Sequence, residues 1–377
     1  MLIESPMNII TDILNDYTIQ TIVMGTGVLG LVSGLMGTWA ILRRQSLLGD
    51  AVAHASLPGI ALAFMISGVK NPIYFFVGAA IAGWIATAWI SSINQNTRIK
   101  SDTALAIVLA VFFGFGMVLI TFIQRMPNAN QAGLESFLFG QAATLLRQDV
   151  VTMAIIAAVT FVIVSLLWKE FKLLAFDSQF AQTIGFNIKI LDILLNTLIV
   201  VAIVLGLQSV GVVLMSALLI APAAAARQWT NKLGVMALLA AIFGLLSGLI
   251  GTGISASGAN ISTGPVIILV SVFIVIISFL FAPKRGLVAQ YFLTRKNKKR
   301  IVKETMLVNL FEICRQHDDP QHLHSVNILK PLPGYNKATM DKLSEEGLIQ
   351  LTGRKQWCLT DKGISSARRI LRNGGES

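Results

Sequence analysis

Cysteine occurs only twice in this chain of 377 residues, at Cys314 and Cys358 in the polar C-terminal stretch, so no disulfide framework holds it together. Charge is scarce as well. Asp, Glu, Lys and Arg make up 13% of the residues against 54% hydrophobic, and the mean hydropathy is +0.71. That composition excludes a water-soluble globular domain of this size. No G-x-x-x-x-G-K-[ST] phosphate loop is present, and the glycine-rich stretch 251–260 lacks lysine, so ATP has no cradle here. No nucleophile–base constellation supports hydrolase chemistry. The first twenty residues hold Glu4, Asp12 and Asp16 but neither Lys nor Arg, and no secretory signal is expected.

What the chain has in quantity is long apolar runs. Those long enough to span a bilayer fall at about 19–42, 47–66, 73–93, 103–123, 150–168, 190–207, 210–226, 233–250 and 266–281. The expectation is an all-α polytopic membrane protein of about nine transmembrane helices. The apolar segment 134–146 is too short to cross and reads as a re-entrant or interfacial helix. Placing the N-terminus outside and the C-terminus inside puts Arg43, Arg44, Arg98, Lys100, Lys169, Lys172, Lys189, Arg227 and Lys232 in inner loops. The outer loops then keep only Lys70, Arg125 and Arg147, as the positive-inside rule requires. The net charge is lopsided: residues 1–283 hold 12 Lys/Arg and 10 Asp/Glu, and residues 284–377 hold 18 and 9. The expected organisation is a membrane domain (1–283), a basic juxtamembrane linker (284–300) and a cytosolic α+β domain (301–377).

Two ionisable residues interrupt the second run, LLGDAVAHASLPGIALAF. An acid within a membrane helix costs roughly 2.5–3.5 kcal/mol even on insertion scales, so its presence points to a pathway. Asp50 and His54 are four apart and share one helix face. A carboxylate and an imidazole converging on one point make half a site for Mn(II), Fe(II) or Zn(II); the bland alternative is a buried pair tying helices together. Pro58 and Gly59 follow, and a bend is expected there. Gly30/Gly34 and Gly244/Gly248 are small-xxx-small pairs, read as packing sites. Pro222 is expected to kink the seventh run, and Ser209, Met215 and Ser216 read mainly as packing residues, with polar or soft groups on a pathway as the alternative.

The cytosolic loop KEFKLLAFDSQFAQTIGFNIK carries a second pattern. Asp177 suits an N-cap and Gly185 a C-terminal stop, with Phe180 and Ile184 four apart between them. That apolar face needs a cover, either lipid headgroups or another protein.

These stretches together resemble the permease subunits of ABC-type manganese, zinc and iron importers. The likeness rests on Leu48-Gly49-Asp50-Ala51 leading to His54 and Pro58-Gly59, on Phe176-Asp177 through Gly185, and on Val210-Gly211 through Pro222, and covers most of residues 15–283. It implies that Asp50 and His54 bind the ion in transit, and that Asp177, Phe180, Ile184 and Gly185 dock on a separate ATPase subunit. It also implies a second permease subunit, alike or different, and an extracellular metal-binding protein that delivers the ion. The location implied is the bacterial inner membrane, with no permanent cofactor and with Mn2+, Zn2+ or Fe2+ as cargo. One Asp and one His cannot fill a divalent ion's coordination, so a second chain, further residues or water must complete it.

The tail reads as a helix near 301–316 with Met306, Leu307, Leu310, Ile313 and Cys314 on its apolar side, then a helix over 335–346 stopped by Gly347. A hairpin, 348–351 with 356–359, and a last helix capped by Thr360 complete it. This order resembles a winged-helix domain of the metal-dependent repressor kind. Lys337, Lys342, Arg354 and Lys355 would line a DNA-facing surface, but regulation or protein contact is the expectation and nucleic acid is not. Cys314, His317, Asp318, Asp319, His322 and His324 read as a solvated loop, with a regulatory metal site at His317, His322 and His324 as the alternative. For the whole chain, the alternatives to an ATP-driven importer are a secondary metal- or proton-coupled transporter and a membrane-tethered regulator.

Overall fold

A computed structural model of the chain describes residues 16–69, 71–125, 140, 145–257, 261–283, 285–315, 322–329, 335–352 and 356–374. They fall into two compact units, 1–286 and 287–377.

In the first unit the apolar runs become helices of membrane-spanning length. α1 (Tyr17–Leu42) starts at Asp16, whose carboxylate accepts from Thr18 N at 2.7 Å. α2 (Leu48–Ser67), α3 (Pro72–Asn96), α4 (Ser101–Gln124) and α5 (Arg147–Leu166) follow, and then α8 (Ile188–Ser209), α9 (Val212–Trp229), α10 (Leu233–Ala256) and α11 (Thr263–Phe281). Among the described residues eight of these are long and apolar enough to cross a membrane. The ninth expected span, α9, is 18 residues long, carries Arg227 in its last turn and is packed by α1, α2, α10 and α11. Protein more than lipid is its solvent. α2 and α9 run unbroken through Pro58 and Pro222, so neither proline ends its helix. α8 and α9 meet in a tight turn at Gly211, whose φ of +92° suits glycine. The fifth run stops at Leu166 and is succeeded by two short helices, α6 (Trp168–Phe176) and α7 (Ser178–Thr183). The segment 134–146 lies largely outside the described residues.

The small-residue pairs place α1 against α10. A methyl on Gly30 would run into the carbonyl of Gly244, one on Gly34 into that of Ala240, and one on Gly248 into that of Thr26. Only bare backbones pack this closely. Thr26 and Thr252 hydroxyls bond across the same seam at 2.8 Å. The core gathers on α1, α2, α8 and α9 (Trp39, Val52, Ile199 and Met215 are buried), whereas α3, α4, α5 and α11 turn Trp84, Phe122, Phe161 and Phe273 outward. Apolar rings in such numbers on the surface call for lipid or a partner rather than water.

In the second unit α12 (Leu287–Arg315) is one 29-residue helix, so most of the basic stretch expected as a linker is helical. β1 (His324–Ser325) is a strand the sequence reading lacks. α13 (Lys337–Glu345), β2 (Ile349–Thr352), β3 (Gln356–Leu359) and α14 (Asp361–Gly374) follow. The sheet is antiparallel in the order β1-β3-β2, with Ile349 opposite Leu359 and His324 opposite Trp357. Met306, Leu310, Leu343, Trp357 and Ala367 share its core. The Thr360 hydroxyl accepts from Gly363 N at 3.0 Å, capping α14.

Candidate functional site

Asp50 stands in the first turn of α2, where free N–H groups favour a carboxylate, and His54 is one turn on. The separation of His54 Nε2 from Asp50 Oδ1 is 3.4 Å. An ion about 2.1 Å from each atom would subtend about 108° between them, a tetrahedral angle, provided Nε2 carries no proton. The pair is reachable but enclosed: the His54 side chain is 16% exposed and that of Asp50 37%. α4 closes one side, with the Phe113 ring edge-on to the imidazole at 4.9 Å. α9 closes another, its Ser216 hydroxyl facing the Asp50 carboxylate. The lack of a side chain at Gly49 permits this, since a methyl there would stand 2.9 Å from Leu219 Cδ2 and 3.5 Å from Ser216 Cα. Of the two sequence expectations for Ser216, packing or a polar group on a pathway, its place beside the Asp50 carboxylate fits the second. His54 Nδ1 is buried with no partner among the described residues. No group of three His, Cys, Asp or Glu able to hold a metal occurs among them either. Among the described residues, Asp50 and His54 stand as two donor groups on one helix face.

The loop pattern folds as read. Asp177 accepts from Phe180 N at 2.9 Å. Gly185, at φ +99°, closes α7 with Gly185 N donating to Gln182 O and Phe186 N to Ala181 O, each at 3.1 Å. This is the Schellman stop. Ala181 is buried, while Phe180 and Ile184 are about half exposed. Phe176, at the end of α6, is exposed beside them.

A further polar cluster went unread. Arg43, just past α1, pairs with Asp192 of α8, donates to Asn196 Oδ1 at 3.0 Å, and Asn196 Nδ2 donates to Asp192 Oδ2 at 3.2 Å. The signal was in the sequence: Asp192 and Asn196 interrupt an apolar run four residues apart, as Asp50 and His54 do. Arg43 had been assigned only a role in orientation.

Among the described residues of the tail, no group of three ligands able to hold a metal occurs. His324 is buried and stacks on Trp357 at 5.1 Å, its edge meeting exposed His322 at 5.2 Å. His317 lies outside the described residues, as do Arg354 and Lys355; Lys337 and Lys342 are exposed. Cys314 is built into the core, where burial first and Cys358 second push its thiol up to about 11.

A multi-helix membrane bundle enclosing an acid–imidazole pair is the build of a membrane transport protein. The chain belongs to the ABC 3 transport family, whose model matches residues 15–282. It is 48% identical over 290 residues to the zinc transport system membrane protein TroC of Treponema pallidum, covering 77% of this chain and 97% of that one. It is 41% identical over 346 residues to the manganese transport system membrane protein MntC of Bacillus subtilis, covering 92% of this chain and 80% of that one. In structure it is similar to PsaBC of Streptococcus pneumoniae, solved with a Fab, at a TM-score of 0.67 and 31% identity over 77% of this chain and all of the other. The protein is accordingly a multi-pass membrane permease of a bacterial ABC transporter, not an enzyme.

Proposed function

We propose that the chain imports a divalent transition metal, manganese or zinc, with Asp50 and His54 holding the ion in transit. The observation that carries this is the 3.4 Å approach of a carboxylate and an imidazole inside a membrane bundle. An incomplete shell suits a carrier, because a closed site would trap its cargo. Ser216, water or a second permease subunit supplies the remaining ligands. The relatives named for zinc and manganese support both cargoes, and the donor pair, one hard and one borderline, distinguishes neither. Delivery falls to an extracellular metal-binding protein.

Energy comes from a separate ATPase, docked on α7. Support lies in the exposed Phe180 and Ile184, on a helix held rigid at both ends by Asp177 and Gly185. With the N-terminus outside, this corner faces the cytosol. The 287–377 unit is read as a winged helix serving regulation or protein contact. Its support is the order helix, strand, helix, hairpin, helix.

The test is uptake of isotopes of manganese, zinc and iron in cells carrying this chain with its neighbouring ATPase, against Asp50→Asn. Uptake of one metal, lost in the variant and lost without the ATPase, is the expected result. Uptake that persists without the ATPase would make the protein a secondary transporter, and uptake of none of the three would remove the metal reading.

A further inference from the structure

The end of α1 grips the docking corner at two points. Trp39 is fully buried, and its ring meets those of Trp168 and Phe171 on α6 edge-on, at 5.3 Å and 5.8 Å. Arg43, one turn later on the same side, holds Asp192 and Asn196 on α8. α6 and α8 are the two helices that flank α7 in sequence, and α7 packs on both. Ser178, the first residue of α7, lines a cleft of ≈ 280 Å³ that Arg43, Asp192 and Asn196 also line.

The connection from this grip to the candidate metal site is short and stiff. Between Leu42 and Leu48 the backbone is tied at Arg44, Gln45 and Leu48: Arg44 N to Ile41 O at 3.0 Å, Gln45 N to Ala40 O at 2.9 Å, and Leu48 N to Gln45 O at 3.0 Å. Arg44, at φ +56°, is the one non-glycine residue with positive φ among those described, so the turn is held in a conformation an L-residue seldom adopts. Beyond it α2 begins, and Asp50 lies in its first turn. A slack linker would absorb displacement; this one passes it on.

The pair is also poorly solvated, with side-chain exposures of 14% for Arg43 and 18% for Asp192. In such surroundings the attraction is stronger than in water, and separating the partners leaves each charge poorly compensated. We propose that Trp39 and Arg43 transmit movement of the α6–α7–α8 corner to the head of α2, making Arg43 and Asp192 a positioning pair for Asp50 and His54. The inference rests on the reading of α7 as the ATPase dock. It predicts that breaking the pair uncouples ATP hydrolysis from transport rather than abolishing either assembly or hydrolysis.

The experiment uses the full permease with its ATPase in liposomes, following ATP hydrolysis and uptake of radioactive Mn(II) and Zn(II) on one preparation. Wild type is read first: uptake indifferent to ATP there would overturn the ATP-driven function, not the positioning pair. Arg43→Gln and Asp192→Asn should each retain the bound ATPase and hydrolyse within about twofold of wild type, with uptake down about tenfold. The reversed pair, Arg43→Asp with Asp192→Arg, should recover at least about a third of the uptake. Unchanged uptake in either single variant, or hydrolysis and uptake falling by the same factor, would overturn the proposal. So would a reversed pair that assembles and hydrolyses but does not transport. Should the neutral variants fail to assemble, Arg43→Lys decides: it keeps the charge, loses the fork over Asp192 and Asn196, and should cut uptake about threefold with hydrolysis intact. Wild-type uptake in Arg43→Lys would then overturn it.

Discussion

Asp50 and His54 have different jobs in the proposed site, and substitution should separate them. Asp50→Asn keeps the shape and removes the charge. Uptake should fall at least about tenfold with the permease still made and inserted, because a neutral amide is a poor ligand for a divalent ion. His54→Ala should lose a similar factor and leave Phe113 facing a gap. Isotope uptake set against the amount of permease in the membrane checks both. In the tail, Cys314 presents the opposite case, a residue that invites a chemical reading and has none. Its thiol is buried and titrates near 11, so at neutral pH it is protonated and shielded. It should resist alkylation at pH 7.5 in the native protein and react at once after denaturation, as mass spectrometry of the labelled chain would report. Because the folded state holds this proton more tightly than an ordinary thiol, the Cys314 contribution to tail stability is present below about pH 9 and fades as the pH rises towards 11.

At the scale of elements, the α1–α10 seam and the α7 knob carry separate predictions. Gly30 and Gly244 each meet the other's carbonyl, so neither helix can retreat without opening the seam along its length. Gly30→Leu should lower the melting temperature of the detergent-purified permease by several degrees or prevent its accumulation. The overpacking cost is about 1–3 kcal/mol or more. A fluorescence melt of the purified protein settles it. For α7, Phe180 and Ile184 already face outward, so a charge there costs the fold little. Ile184→Asp should leave the permease intact and remove the co-purifying ATPase. An ATPase retained in normal ratio would end α7's proposed role. The α6–α7 corner also shows how far element prediction reached. The caps at Asp177 and Gly185 were legible because capping is local chemistry, written within three or four residues. The preceding span is expected to end at 168 with 169–176 in the loop, and α6 is not legible there because no proline, glycine or cap residue near Leu167 marks its start.

For the whole molecule, the two units differ in kind. Among the described residues, the 1–286 unit turns large apolar side chains outward, while the 287–377 unit closes a small core around Trp357 with basic residues outside. Two separate cores imply that the second unit is dispensable for the first. Removing residues 287–377 should leave metal uptake within about threefold of wild type and should alter its response to metal supply. A truncated chain that inserts but does not transport would tie the tail to the mechanism.

The sequence alone determined the class and much of the plan. Long apolar runs have only one solvent in which they are stable, the distribution of lysine and arginine orients them, and a carboxylate four residues from an imidazole must share a helix face with it. Small-xxx-small spacing foretold that glycines would let two helices touch, though not which two. The hairpin, the Thr360 cap and the stop at Gly347 were likewise local. Other features exist only in three dimensions. Ser216 reaches Asp50 from a helix more than 160 residues away, and Arg43 finds Asp192 and Asn196 across 149 and 153 residues. β1 is two residues long and is a strand only because β3 lies beside it. Spacing along a chain encodes neighbours within a turn or a hairpin. Which helix packs on which is settled by the summed fit of many side chains, and the second wall beside Asp50 and the grip of α1 on α6 and α8 were decided there.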